Sequence, residues 1–216
     1  YVENITLKDG AALYGGFAGS EDPATFDLAD RNFAANETIL DGNSNGSVVT
    51  APQGATETTR IDGFTIRNGS ASYGGGIYCY YASPTIANNT ITGNTAYLPN
   101  GGGGGGIYCE ESSATIANNT ISGNTASGGF MDFEGGSGGA IYCLSGSPRI
   151  ANNTITGNTA LDDCAAGGAI YCSNSSSPTI TNNTIAGNTA SGGVDYYQAN
   201  GGGIYCYSPS ATIANN

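Results

Sequence analysis

The chain has no tryptophan, no histidine, one methionine and only five lysine or arginine residues among 216. Each shortage removes a class of function. Without histidine there is no imidazole to hold a metal, and no Cys-x-x-Cys pair takes its place. Five basic residues against seventeen acidic ones leave a formal charge of −12. Such a surface cannot neutralise phosphates, so nucleic acid is a poor partner. No run approaches the ~18 apolar residues of a membrane span. No signal peptide or transit segment is recognisable. The chain opens on Tyr1 instead of Met, which reads as a processed or trimmed product. Helical apolar stripes are missing as well, and the length suits one domain.

What is plentiful is glycine, 36 residues, and repetition. One stretch is written five times. It first reads Gly74-Gly75-Gly76-Ile77-Tyr78-Cys79, then Ser83-Pro84-Thr85-Ile86-Ala87-Asn88-Asn89-Thr90-Ile91-Thr92-Gly93-Asn94-Thr95-Ala96. The Ile-Tyr-Cys returns at Ile107, Ile141, Ile170 and Ile204, at spacings of 30, 34, 29 and 34 residues. Within a copy the spacing is nearly fixed, and length varies only between the closing Ala and the next glycine run. Insertions confined to one corner of a repeat are the mark of a coil with loops on one side.

The apolar residues alternate with period two over short runs rich in β-branched side chains, which is a strand pattern. Three short strands per copy, separated by Ser-Pro, Asn-Asn and glycine corners, predict an all-β right-handed parallel β-helix, a β-solenoid of about six to eight coils stacked about 4.8 Å apart. Residues 74–216 form the regular repeats. Residues 1–73 read as irregular N-terminal coils and a cap, with Ile61 to Ile66 as a degenerate first repeat and the polar segment 18–37 covering an end. Stacking puts Ile77, Ile107, Ile141, Ile170 and Ile204 in one inward ladder, Ile86 and its copies in a second, and Ile91 and its copies in a third. Asn94, Asn124, Asn158 and Asn188 are the expected asparagine ladder.

The residues Gly138-Gly139-Ala140-Ile141 and Gly167-Gly168-Ala169-Ile170 resemble the Gly-Gly-Ala-Ile element of chlamydial polymorphic outer-membrane proteins. Ile91-Thr92-Gly93-Asn94 resembles that family's Phe-x-x-Asn element, with Ile in place of Phe. The broader likeness is to bacterial right-handed parallel β-helix repeat proteins of cell surfaces. Tyr14-Gly15-Gly16-Phe17-Ala18-Gly19-Ser20-Glu21 resembles their opening coils. The resemblance implies the fold and an extracellular or cell-surface location. It does not choose an activity, because this architecture hosts lyases, hydrolases, adhesins and passive rods.

Several side-chain sets are candidates for function. Cys79, Cys109, Cys143, Cys172 and Cys206 share one inward position and form a structural cysteine ladder, read either as buried thiols or as disulfides between neighbouring rungs. Cys164 is the odd one, in a loop. Tyr78, Tyr108, Tyr142, Tyr171 and Tyr205 form an outward row, with Tyr80, Tyr81 and Tyr207 nearby. The row is either a protein- or glycan-contact surface or a self-stacked strand face. Asp132, Glu134, Asp162, Asp163 and Asp195 emerge from the loops along one edge. They are solvated charge, a calcium site, or the acid and base of a polysaccharide-cleaving enzyme. No other cofactor is implied. Asn-x-Ser/Thr sequons are frequent, but Asn-Asn-Thr in the repeats is better explained by corner stacking. The threonine row of Thr85, Thr115 and Thr179 resembles an ice-binding face, yet Arg149 interrupts it, and such faces need two regularly spaced threonines per rung.

The expected function is a structural or adhesive rod, with glycan binding or polysaccharide cleavage as alternatives. The sequence closes at Ala214-Asn215-Asn216 within a repeat. An open coil end there predicts end-to-end self-association into filaments.

Overall fold

The computed structural model describes all residues except 100, 129–135, 193–198 and 208–209. Four parallel sheets run along a right-handed β-solenoid. Each coil contributes one strand to each sheet, as Ile77–Tyr80, Thr85–Ala87, Thr90–Thr92 and Thr95–Tyr97 do. The sheets are called here the tyrosine face, the second face, the threonine face and the fourth face, in that order. Among the described residues they hold seven, seven, six and five strands.

Two expectations need correction. Coils have four strands, not three. The fourth strand buries only alanine (Ala96, Ala126, Ala160), so it carries no large apolar residue to announce it. The complete coils number about five, starting at Val49, Ile77, Ile107, Ile141 and Ile170, and not six to eight. Strands Ile5–Thr6, Ala12–Tyr14 and Ile39–Asp41 pair onto the first coil, but residues 15–38 between them leave the coil path. That segment lies on the solenoid's flank. Arg31 reaches the buried Asp62 carboxylate at 2.8 Å and sits beside the rings of Tyr14 and Phe33, and Arg60 holds the other oxygen of Asp62 at 2.8 Å.

The interior follows from strand alternation. Ile77 pairs with Ile107, Ile107 with Ile141, and Ile141 with Ile170. Ile86 and Ile91 head equivalent ladders. These isoleucines are fully buried from the first complete coil to the fourth, each contributing about 1.5–3 kcal/mol by removal from water. A single coil has no interior, so only the stack buries them.

The corners explain the rest of the repeat. At one, Asn88, Asn118, Asn152 and Asn182 take φ near +56°, a left-handed conformation that asparagine tolerates. The next residue turns its amide inward. Asn89, Asn119, Asn153, Asn183 and Asn216 form a hydrogen-bonded column, with Asn119 Nδ2 donating to Asn153 Oδ1 at 3.0 Å and to Ile86 O at 2.9 Å. At the other corner Gly93, Gly123, Gly157 and Gly187 supply the positive φ, and Asn94, Asn124, Asn158 and Asn188 form the expected ladder, 2.9 Å from Nδ2 to Oδ1 at each step. These amides are buried down to the last coil. They satisfy backbone groups that the corners would otherwise strand.

Candidate functional site

The tyrosine face carries a groove. Its strands alternate Ile in, Tyr out, Cys in. Direct register therefore stacks Tyr78, Tyr108, Tyr142, Tyr171 and Tyr205. Successive ring centroids lie 5.6, 5.2, 4.9 and 5.7 Å apart, at interplanar angles of 7°, 21°, 32° and 13°. The rings cover one another's faces, as offset aromatic pairs prefer. What the row offers outward is a line of ring edges and phenol groups at roughly the rung spacing. The row faces out from the sheet yet is largely covered, for Tyr108 is only 3 % exposed and the other four are half-buried.

Two walls cover it. One comes from the variable loops, where Tyr73, Gly103, Ser137, Ala166 and Asn200 are joined rung to rung by parallel bridges, and Tyr73 packs on Tyr108 at 4.8 Å. The other includes Leu144, Asn174 and Tyr207. Together they enclose a groove of ≈ 650 Å³. Length variation between repeats thus falls on the rim of this groove. Repeat insertions on one face commonly mark the binding side of a solenoid.

One carboxylate, Glu110, shapes the electrostatics of the floor. Tyr108 donates its O–H to Glu110 Oε2 at 2.8 Å. Burial, then this bond, raises the Tyr108 phenol far above its ordinary value. Burial, then the charge of Glu110, raises Tyr78. Glu110 occupies the register position of Tyr80. Sequence reading missed it because that position is not kept between copies, reading Tyr80, Glu110, Leu144, Ser173 and Tyr207.

Beneath the floor, Cys79, Cys109, Cys143, Cys172 and Cys206 stand in register. All six cysteines are free thiols, with Cys164 half-buried on the groove wall. The hydrogen bond to Cys109, then burial, pushes the Cys79 thiol up. Cys172 and Cys206 are raised mainly by bonds to Cys143 and Cys172 respectively. Thiols held protonated in this way are poor nucleophiles.

The loop carboxylates divide. Asp132, Glu134 and Asp195 lie outside the described residues. Asp162 accepts a 2.7 Å bond from the Gly128 amide, and Asp163 is half-buried beside it. Among the described residues, no three His, Cys, Asp or Glu gather to hold a metal ion. No helix among them is long and apolar enough to cross a membrane.

A family model described as the right handed beta helix region matches residues 39–216. No curated protein and no solved structure matches the chain.

Proposed function

The chain belongs to the right-handed β-helix family, and from that premise we propose that it is an extracellular or cell-surface adhesive rod that holds a neutral glycan chain along its tyrosine groove. The observation that carries this reading is the groove itself, floored by stacked tyrosine edges and rimmed by the variable loops. Its lining of phenols, amides and the Ser137 hydroxyl suits a ligand rich in hydroxyls. A glycan lying along the axis would meet one tyrosine per rung. The charge of −12 and Glu110 beside the floor disfavour uronates and other acidic polymers.

The test is retention of the purified chain on immobilised neutral and acidic polysaccharides, with product analysis of the soluble polymer. Neutral polymers are expected to retain it, acidic ones not, and no shortened products should form. Tyr142→Ala, at the middle of the row, should weaken retention about tenfold, the cost of losing one well-packed aromatic contact worth roughly 1.4 kcal/mol. Equal retention of Tyr142→Ala would exclude the groove as the binding surface, and release of short products would favour the polysaccharide-cleaving alternative.

A further inference from the structure

The threonine face stands apart from the groove, and four of its six strands are chemically alike. These strands, Thr90-Ile91-Thr92, Thr120-Ile121-Ser122, Thr154-Ile155-Thr156 and Thr184-Ile185-Ala186, place the isoleucine inward and both flanking residues outward. Register is direct across all four, so Thr90, Thr120, Thr154 and Thr184 form one column, and Thr92, Ser122, Thr156 and Ala186 a second. The first column is exposed and the hydroxyl part of the second is half-buried. None of the outward residues on these four strands is charged or aromatic. The face begins at Thr90, beside Phe33 and Glu37 of the N-terminal segment. The rung before it carries the Arg67–Asp41 ion pair.

We propose that this face is an ice-binding surface. The argument is one of lattice dimensions and stiffness. Rungs repeat at about 4.8 Å, and outward residues two apart on a strand lie about 6.7 Å apart. Water joined tetrahedrally by O–H···O contacts of about 2.75 Å repeats at about 4.5 Å in one direction and about 7.4 Å in the perpendicular one. The protein array matches both repeats to within roughly a tenth. Threonine is stiff at χ1, so its hydroxyls are held in place before water arrives. Each can donate and accept one lattice bond. In the second column Ser122 Oγ donates to Thr92 Oγ1 at 3.4 Å, closer than the rung repeat, so the exposed first column of Thr90, Thr120, Thr154 and Thr184 carries the regular spacing. An uncharged array of this kind has no partner in an ionic ligand, and it lacks the aromatic or branched apolar anchors that protein interfaces use.

The objection from sequence does not reach this face. Arg149 pairs with Thr115 and Thr179 on the second face, one corner away. The requirement of two outward hydroxyl residues per rung is met here on three consecutive rungs, and Ala186 breaks it on the fourth.

The experiment uses the full chain, labelled at its amines, in two assays. One follows the shape of single ice crystals cooled below their melting point. The other measures partition of the label into a slowly growing ice hemisphere. The unmodified chain should facet the crystals and enter the ice. The T120K/T154K variant, which plants two charges at the centre of the array, should lose both activities with an unchanged circular-dichroism spectrum. T115R, which repeats on the second face the arginine found at Arg149, should keep both, as should Y142A in the groove. Rounded crystals and exclusion of the unmodified chain from ice would overturn the proposal. So would survival of activity in T120K/T154K, or equal loss in T115R. Should the lysines disturb folding, T120A/T154A is read in the same way.

Discussion

At the scale of the residue, the two asparagines of Asn-Asn-Thr do different work. Asn118 is left-handed and exposed, so its side chain matters less than its backbone. Asn119 is bonded on both sides within the stack. Its Oδ1 accepts from the Asn89 amide at 2.9 Å, and its Nδ2 donates to Ile86 O and Asn153 Oδ1. Asn119→Ala strands buried donors and acceptors at about 1–3 kcal/mol for each group and should lower stability by roughly 2–5 kcal/mol. Asn118→Gly, which keeps the positive φ, should change it by less than about 1 kcal/mol. Denaturant unfolding of the two variants checks the contrast, and similar costs would mean that the column adds nothing specific. The ladder of Asn94 was legible in the sequence because Gly-Asn-Thr names one asparagine. The Asn-Asn-Thr corner was legible as a place of stacking, but not the choice of Asn89, because two adjacent asparagines share one motif and only the backbone turn selects which points in.

At the scale of the element, the coil decides which glycines are obligatory. A Cβ on Gly105 would stand 2.4 Å from Thr125 O and 2.6 Å from Gly139 O, both rigid backbone. The following position is Gly106 here but Ala140 and Ala169 in the next two coils, where the methyl is fully buried in the stack. A Cβ on Gly106 would meet one backbone oxygen, Ala140 O at 2.7 Å, where one on Gly105 meets two. Gly105→Ala should therefore lower the melting temperature by several degrees, as a loss of about 1–3 kcal/mol would, and Gly106→Ala by less, since the coil accommodates a methyl there at Ala140 and Ala169. Thermal melts of the pair give the answer, and tolerance of both would mean that the rungs separate more easily than their packing implies. The alternation Gly-Gly-Gly or Gly-Gly-Ala was visible in the repeats. Its cause, the approach of the next rung's carbonyl, belongs to the stack. The fourth strand was hidden for a similar reason. Alanine at its inward position reports close packing of the corner and not strand propensity.

At the scale of the whole molecule, rows of like groups couple the coils electrostatically. Tyr78, Tyr108, Cys79, Cys172 and Cys206 all have raised pKa values in the fold. In the unfolded chain they ionise near their ordinary values, 9.0 for cysteine and 10.0 for tyrosine. Below about pH 9 both states hold these protons, and stability is complete. Above it the unfolded state gives them up while the fold retains them, so stability falls as pH rises. Tyrosinate absorbance from Tyr78 and Tyr108 should therefore lag behind that of free tyrosine and appear together with loss of the strand signal in circular dichroism. Smooth titration of all fourteen tyrosines near their ordinary value, with the fold intact, would refute the coupling.

The sequence by itself determined the repeat, the inward isoleucines, the parallel solenoid and the corner that accepts insertions. Those features rest on periodicity, and periodicity is a property of the chain. Only the tertiary structure decided that a coil has four strands and that the tyrosine rings turn their faces to each other and their edges to a groove. It also decided that Glu110 bonds Tyr108, and that two hydroxyl columns share three consecutive rungs of one face while Arg149 stands on another. The physical reason is common to all of these. Each depends on which residues of different coils come to lie one rung apart, and that register is set by the stack.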